Sequence, residues 1–210
     1  YPSVKQESVD HIKKDSDILN IMRTYSTDND HDFETPSLSG NSELFSQRAQ
    51  SMPDRYYNIY LNALDDPSIH IKYTIDGLDG LIRCNYSQSK LDILFCRVID
   101  ELYKREYIGQ PQTNSLLCLR IDYYPQNRLH MPQKVYDFVK RIVLHPYSDQ
   151  DETNNIDYNL PINRERGRAI DLLICTSYYD QEYGPDILET IEQIATTASF
   201  TSKVGILFRM

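Results

Sequence analysis

The sequence predicts an α+β fold: a single sheet, antiparallel or mixed, of about five strands with helices packed on one face, in the order βββ-α-β-α-loop-β-α-β. Three observations carry that expectation. Apolar and polar residues alternate over Ile69–Ile75 and again over Ser115–Tyr124. Between and after these runs, apolar residues recur at helical spacing. Gly and Pro punctuate the boundaries.

Taken in order, residues 1–52 are poor in large apolar side chains and are expected as a flexible or extended segment able to dock on a partner. Within it, Ser8–Tyr25 carries Val9, Ile12, Ile18, Leu19, Ile21 and Met22 and predicts a short helix with a frayed first half. Ser26–Asn41 is polar, with Pro36 and Gly40, and reads as a linker. Ser42–Gln50 predicts a helical turn.

A compact domain is expected over 53–210. Tyr57, Ile59 and Leu61 share one face of a strand. Ile69, Ile71, Tyr73 and Ile75 do the same, with His70, Lys72, Thr74 and Asp76 opposite. Asp76-Gly77 and Asp79-Gly80 then read as a hairpin turn, because glycine accepts positive φ. Leu81–Tyr86 is the returning strand. Leu91, Leu94, Phe95, Val98, Ile99 and Leu102 form a helical stripe, with Ser89 as its N-cap. Ser115–Tyr124 predicts a strand through Leu117, Leu119, Ile121 and Tyr123. Pro132 opens a helix with Val135, Phe138, Val139, Ile142 and Val143 inward. The polar stretch 145–164 has four acids and no apolar period, and a loop of that length is usually functional or disordered. Ala169–Ser177 predicts a central strand, Pro185 opens a third helix, and Lys203–Met210 predicts a closing strand.

Bulk composition narrows the function classes. Thirty-one acids against 22 bases give a net charge of −9, the wrong sign for a simple duplex-DNA binder. Cys84, Cys96, Cys118 and Cys175 are widely spaced, so they are expected as buried free thiols and not as a zinc site. Seventeen Tyr with no Trp suits sheet faces and interfaces, or reflects genome composition. No apolar run reaches the roughly 18 residues of a membrane span, and the first residues show no signal-peptide pattern. The chain begins at Tyr1, so further residues are expected upstream in the native protein.

Motifs for chemistry are sparse. Neither GxGxxG nor GxxxxGK[ST] occurs. Asp122, Asp171 and Asp180, with Glu165 upstream, occupy places where nuclease carboxylates sit, but no Lys follows at the required spacing. His130 and His145 flank the second long helix, and a pairing with Ser115 or Cys118 has no elbow motif behind it. Arg164, Arg166 and Arg168 would share a face of an extended chain, suited to phosphate or lipid head groups, or else form a solvated strand edge. No enzyme activity, metal or cofactor is expected.

One resemblance adds to this reading. The runs IKYTI, YSQSKLDILFCRVIDELYKREYIG and GRAIDLLICTSYYD, in this order and spacing, resemble the core of rhabdovirus matrix proteins from roughly Ile69 onward. The resemblance implies a structural viral protein that self-associates beneath the envelope, links ribonucleoprotein to membrane, and supports assembly and budding. It implies self-association through the loop holding Pro146, Tyr147, Asp149, Asp151, Glu152, Tyr158, Leu160 and Pro161. It also implies docking by a tail that includes Tyr1, Pro2 and Val4. Its partners would be further copies of the chain, the viral nucleocapsid, host proteins, and an anionic membrane reached through residues upstream of Tyr1. Arg164, Arg166, Arg168, Lys13 and Lys14 are the candidate phosphate or membrane contacts. The implied location is the virion interior and, in the host, the cytoplasm, the inner face of the plasma membrane and the nucleus. This chain departs from the family in being acidic and in lacking a Lys-rich N-terminus and a PPxY motif. Two other classes stand beside it: a non-enzymatic adaptor that binds a protein through tail and acidic loop, and a divergent α/β hydrolase or nuclease using some of Asp122, Asp171, His130 and His145.

Overall fold

The computed structural model describes residues 3–4, 12–27, 36–107, 110–144 and 165–197. Among these residues there are ten α-helices and no β-strand, so the α+β expectation is overturned. The helices are α1 Asp15–Thr24, α2 Leu38–Ser51, α3 Pro53–Leu64, α4 Lys72–Arg83, α5 Gln88–Lys104, α6 Pro111–Ile121, α7 Tyr123–Asn127, α8 Gln133–Leu144, α9 Glu165–Ser177 and α10 Gly184–Thr197. The chain forms two compact units, Tyr1–Glu106 with α1–α5 and Tyr107–Met210 with α6–α10.

In the first unit, α2 lies against α4, α3 touches both, α5 covers α3 and α4, and α1 rests on α3. The segment expected as a hairpin is the buried helix α4. Its apolar residues Tyr73, Ile75, Leu78 and Leu81 are buried, but so are Thr74 and Asp76. The alternation therefore marks no wet face. The two glycines serve close approach instead of a turn. A Cβ at Gly77 would fall 2.2 Å from Cζ of Tyr60, and one at Gly80 would fall 2.0 Å from the main-chain oxygen of Ser46. Only a residue without a side chain lets α2 and α3 sit this near to α4.

The expected strand over Tyr56–Leu64 is α3. Pro53 stands in its first turn, where a missing N–H is harmless, and Tyr56, Ile59, Tyr60 and Ala63 give the buried helical spacing. The tyrosines belong to the core: Phe45 lies 6.3 Å from Tyr56 and 6.0 Å from Tyr73, ring centre to ring centre. The Tyr73 hydroxyl donates to the Tyr25 carbonyl at 2.6 Å. The linker expected over 26–41 gives way to helix at Leu38, where the Ser37 hydroxyl accepts from Gly40 N–H at 3.1 Å. Helix α5 begins at Gln88, so Ser89, expected as the cap, is inside the first turn and Ser87 holds the cap position. Arg105 closes the unit: it pairs with buried Glu101 and donates to the carbonyls of Leu64, Asp66 and Ile69.

In the second unit, α9 packs on α6, α7, α8 and α10, and α10 also touches α8. Two of the three strands expected here are helices. In α6 the buried residues Asn114, Leu117, Cys118 and Ile121 follow three- and four-residue steps, whereas Leu119, expected inward, is exposed. In α9, Ala169, Ile170, Leu172, Leu173 and Ile174 are all buried, as befits a central helix rather than a central strand. The helices expected after Ser89, Pro132 and Gly184 are present as α5, α8 and α10. All four cysteines are free; Cys118 is buried and the others are half-buried. The expected closing strand Lys203–Met210 lies outside the described residues.

Candidate functional site

The second unit brings together, through two turns, groups fifty residues apart in the chain. The first turn follows α7. Arg128, in the left-handed region at φ 53°, ends that helix, and Leu129 N–H donates back to the Tyr124 carbonyl at 2.9 Å. The second follows α9, whose Thr176 carbonyl accepts from the N–H groups of Tyr179 and Asp180. Asp180 then organises the start of α10. Its Oδ1 accepts the N–H of Glu182 at 3.1 Å and of Tyr183 at 3.3 Å, as a capping carboxylate does.

Three side-chain contacts clasp the turns to each other. The Tyr179 hydroxyl donates to the Leu129 carbonyl at 3.1 Å, and the Tyr183 hydroxyl to the Met131 carbonyl at 3.0 Å. Between them, His130 Nδ1 lies 2.8 Å from Asp180 Oδ2. The Asp180 side chain is 5% exposed and that of His130 52%, so the imidazole leans from a buried carboxylate toward solvent. The His130 ring stacks on Tyr183 at 4.9 Å, and Tyr183 stacks on Tyr136 at 4.0 Å with nearly parallel planes. Burial pushes the Tyr183 hydroxyl up to about 12, with Glu182, Asp180 and Asp137 adding to it. Burial also raises Tyr136, which donates to Asp186. Lys140, 2.7 Å from Asp186, holds that carboxyl below the usual range, with the Tyr136 hydroxyl helping. The outer side of the cluster carries Glu182 and Tyr178, the latter 74% exposed, while Leu188 on α10 is 62% exposed.

Of the residues expected from sequence to do chemistry, His130 and Asp180 meet here, while Asp122 and Asp171 lie together elsewhere in the unit. Asp122 is coupled to Asp171 and Arg168; burial raises its carboxyl, Asp171 adds to that, and the Gln126 amide and Arg168 oppose it. His130 joins Asp180 instead. Ser115 is half-buried and Cys118 buried within α6. His145 is outside the described residues. So are Arg164, the loop residues Pro146, Tyr147, Asp149, Asp151, Glu152, Tyr158, Leu160 and Pro161, and Tyr1 and Pro2 of the tail.

Of the three arginines expected to share a face, Arg166 and Arg168 lie in α9. In a helix, residues two apart point to nearly opposite sides. Arg166 is buried and donates to the Val143 carbonyl at the end of α8, at 2.9 Å, while Arg168 is half-buried beside Asp122. Lys13 and Lys14 are exposed ahead of α1. The Val4 N–H donates to Asn41 Oδ1 at 2.8 Å, so this point of the tail contacts its own unit.

The first unit holds a second polar cluster. Asp76 Oδ2 accepts from the Ser42 hydroxyl at 2.7 Å and pairs with Lys72 at 2.6 Å. Ser42 is fully buried at the α2–α4 crossing, which suits a packing role. Among the described residues, no group of three or more His, Cys, Asp or Glu is gathered around a metal position, and no helix is long and apolar enough to cross a membrane. No protein-family model matches the chain, and no curated protein or solved structure is significantly similar to it.

Proposed function

We propose that this chain acts by binding a protein partner, as a helical adaptor, and that the turn between α9 and α10 is where the partner is met. The observation that supports this reading is Tyr178. Its ring stands 74% exposed directly before residues whose positions are fixed by the Tyr179, Asp180 and Tyr183 contacts. Tyr carries a large contact area on only two side-chain torsions and so loses little conformational freedom on association, and it is among the residues enriched at binding hot spots. Leu188, on the helix that this turn opens, adds a second uncovered apolar side chain.

The matrix-type role rested on an order of strands and helices, and the strands of that order that fall on described residues are helices here. It keeps its place as an arm of the test. The full chain is immobilised to capture a stoichiometric partner, sedimented over a concentration series to read self-association, and mixed with anionic vesicles. The adaptor reading expects one saturable protein complex that Tyr178→Ala weakens about thirtyfold, near 2 kcal/mol, with unchanged Tm. Polymer growth or vesicle binding that ignores Tyr178→Ala, with no stoichiometric partner, would reject it.

A further inference from the structure

We propose that His130 and Glu182 form a two-ligand site for a divalent transition metal of the Zn2+ class, oriented by Asp180. The argument begins with proton placement. A carboxylate only accepts hydrogen bonds. Asp180 Oδ1 is taken by the main-chain N–H groups of Glu182 and Tyr183, and its Oδ2 faces His130 Nδ1 at 2.8 Å. The Nδ1 must therefore carry the hydrogen, which leaves the lone pair of the neutral ring on Nε2.

A carboxylate oxygen stands near that nitrogen. Glu182 Oε2 stands 3.8 Å from Nε2, too far for a hydrogen bond, and both side chains are open to solvent. With the ring neutral, a cation placed between these two atoms would be ligated by both. Zinc takes nitrogen at about 2.0–2.1 Å and carboxylate oxygen at about 2.0–2.2 Å, so tetrahedral ligands lie roughly 3.4 Å apart. Glu182, 72% exposed, needs to swing only about 0.4 Å to reach that separation. The imidazole is already oriented, on one edge by Asp180 and on its face by the Tyr183 ring at 4.9 Å. Carboxylate to Nδ1–H with metal at Nε2 is the usual support of a metal-binding histidine. Imidazole with carboxylate selects zinc, copper or nickel over calcium or magnesium. With two protein ligands the remaining positions take water, so the affinity lies well below that of a closed four-ligand site. The site stands on its own geometry and does not depend on the partner reading.

The test is calorimetric titration of the full chain with ZnCl2, repeated on Glu182→Ala, His130→Ala and Asp180→Asn. The wild type is expected to bind one equivalent that Glu182→Ala and His130→Ala each weaken at least about tenfold and Asp180→Asn about 10–100-fold. Glu182 is exposed, so its variant keeps the fold and decides the matter if Asp180→Asn unfolds the unit. Equal affinity in Glu182→Ala, or no uptake by the wild type at about 1 mM Zn2+, overturns the proposal.

Discussion

A methyl group at Gly80 would meet the Ser46 main-chain oxygen at 2.0 Å and the Ala49 side chain at 3.1 Å, and a helix backbone cannot step aside as a flexible side chain can. Gly80→Ala is therefore expected to destabilise the first unit by about 1–3 kcal/mol. Gly184 has no atom within 4 Å of a Cβ position and begins α10, so Gly184→Ala is expected to be neutral or to stabilise by about 0.4–1 kcal/mol. Urea midpoints of the two variants check both signs. The Asp79-Gly80 pair shows how a residue is misread. Glycine serves positive φ and close approach by the same missing side chain, and the sequence does not distinguish the two. The same holds for Tyr, whose abundance suggests surfaces while Tyr56, Tyr60 and Tyr73 are fully buried.

Between α3 and α4, Asp66 holds the connection. Its carboxylate accepts from the hydroxyl and N–H of Ser68 and from Arg23 of α1, which together lower it to about 2. The folded group thus titrates below its unfolded value near 4. Its contribution is present above about pH 4 and is lost as pH falls from about 4 toward 2. Asp66→Asn should flatten the acid limb of the stability-against-pH curve over that window, read by denaturant midpoints; an unchanged limb would show that the contact contributes nothing. At this scale the helices with one wet face were legible: α5, α8 and α10 carry stripes at three- and four-residue spacing. Helices α3, α4, α6 and α9 were not. Where a helix is buried on several sides, polar residues such as Thr74, Asp76 and Asn114 lie inside, the stripe dissolves, and chance alternation looks like a strand. Residues 38–51 read only as the end of a linker and a helical turn, because Gly40, Ser42, Ser46 and Ala49, small residues that pack closely without looking apolar, share the buried face with Leu38, Leu44 and Phe45.

Across the whole chain, the candidate site exists because helix ends meet. His130 follows α7, Asp180 and Glu182 follow α9, and Tyr136 comes from α8. Sequence named His130 and Asp180 separately but could not pair groups fifty residues apart without the helical topology. The one local signal was Asp180 standing ahead of Gly184-Pro185, the pattern of a capping acid before a helix. Both the partner surface at Tyr178 and the His130–Glu182 pair depend on Ala169–Ser177 being a helix that ends in a turn, and on the alternating segments being helices throughout. Backbone carbon chemical shifts measured by NMR over Lys72–Arg83, Ser115–Ile121 and Ala169–Ser177 test this most directly. The account predicts helical shifts at all three; extended-strand shifts across them would contradict the fold and remove the site built on it.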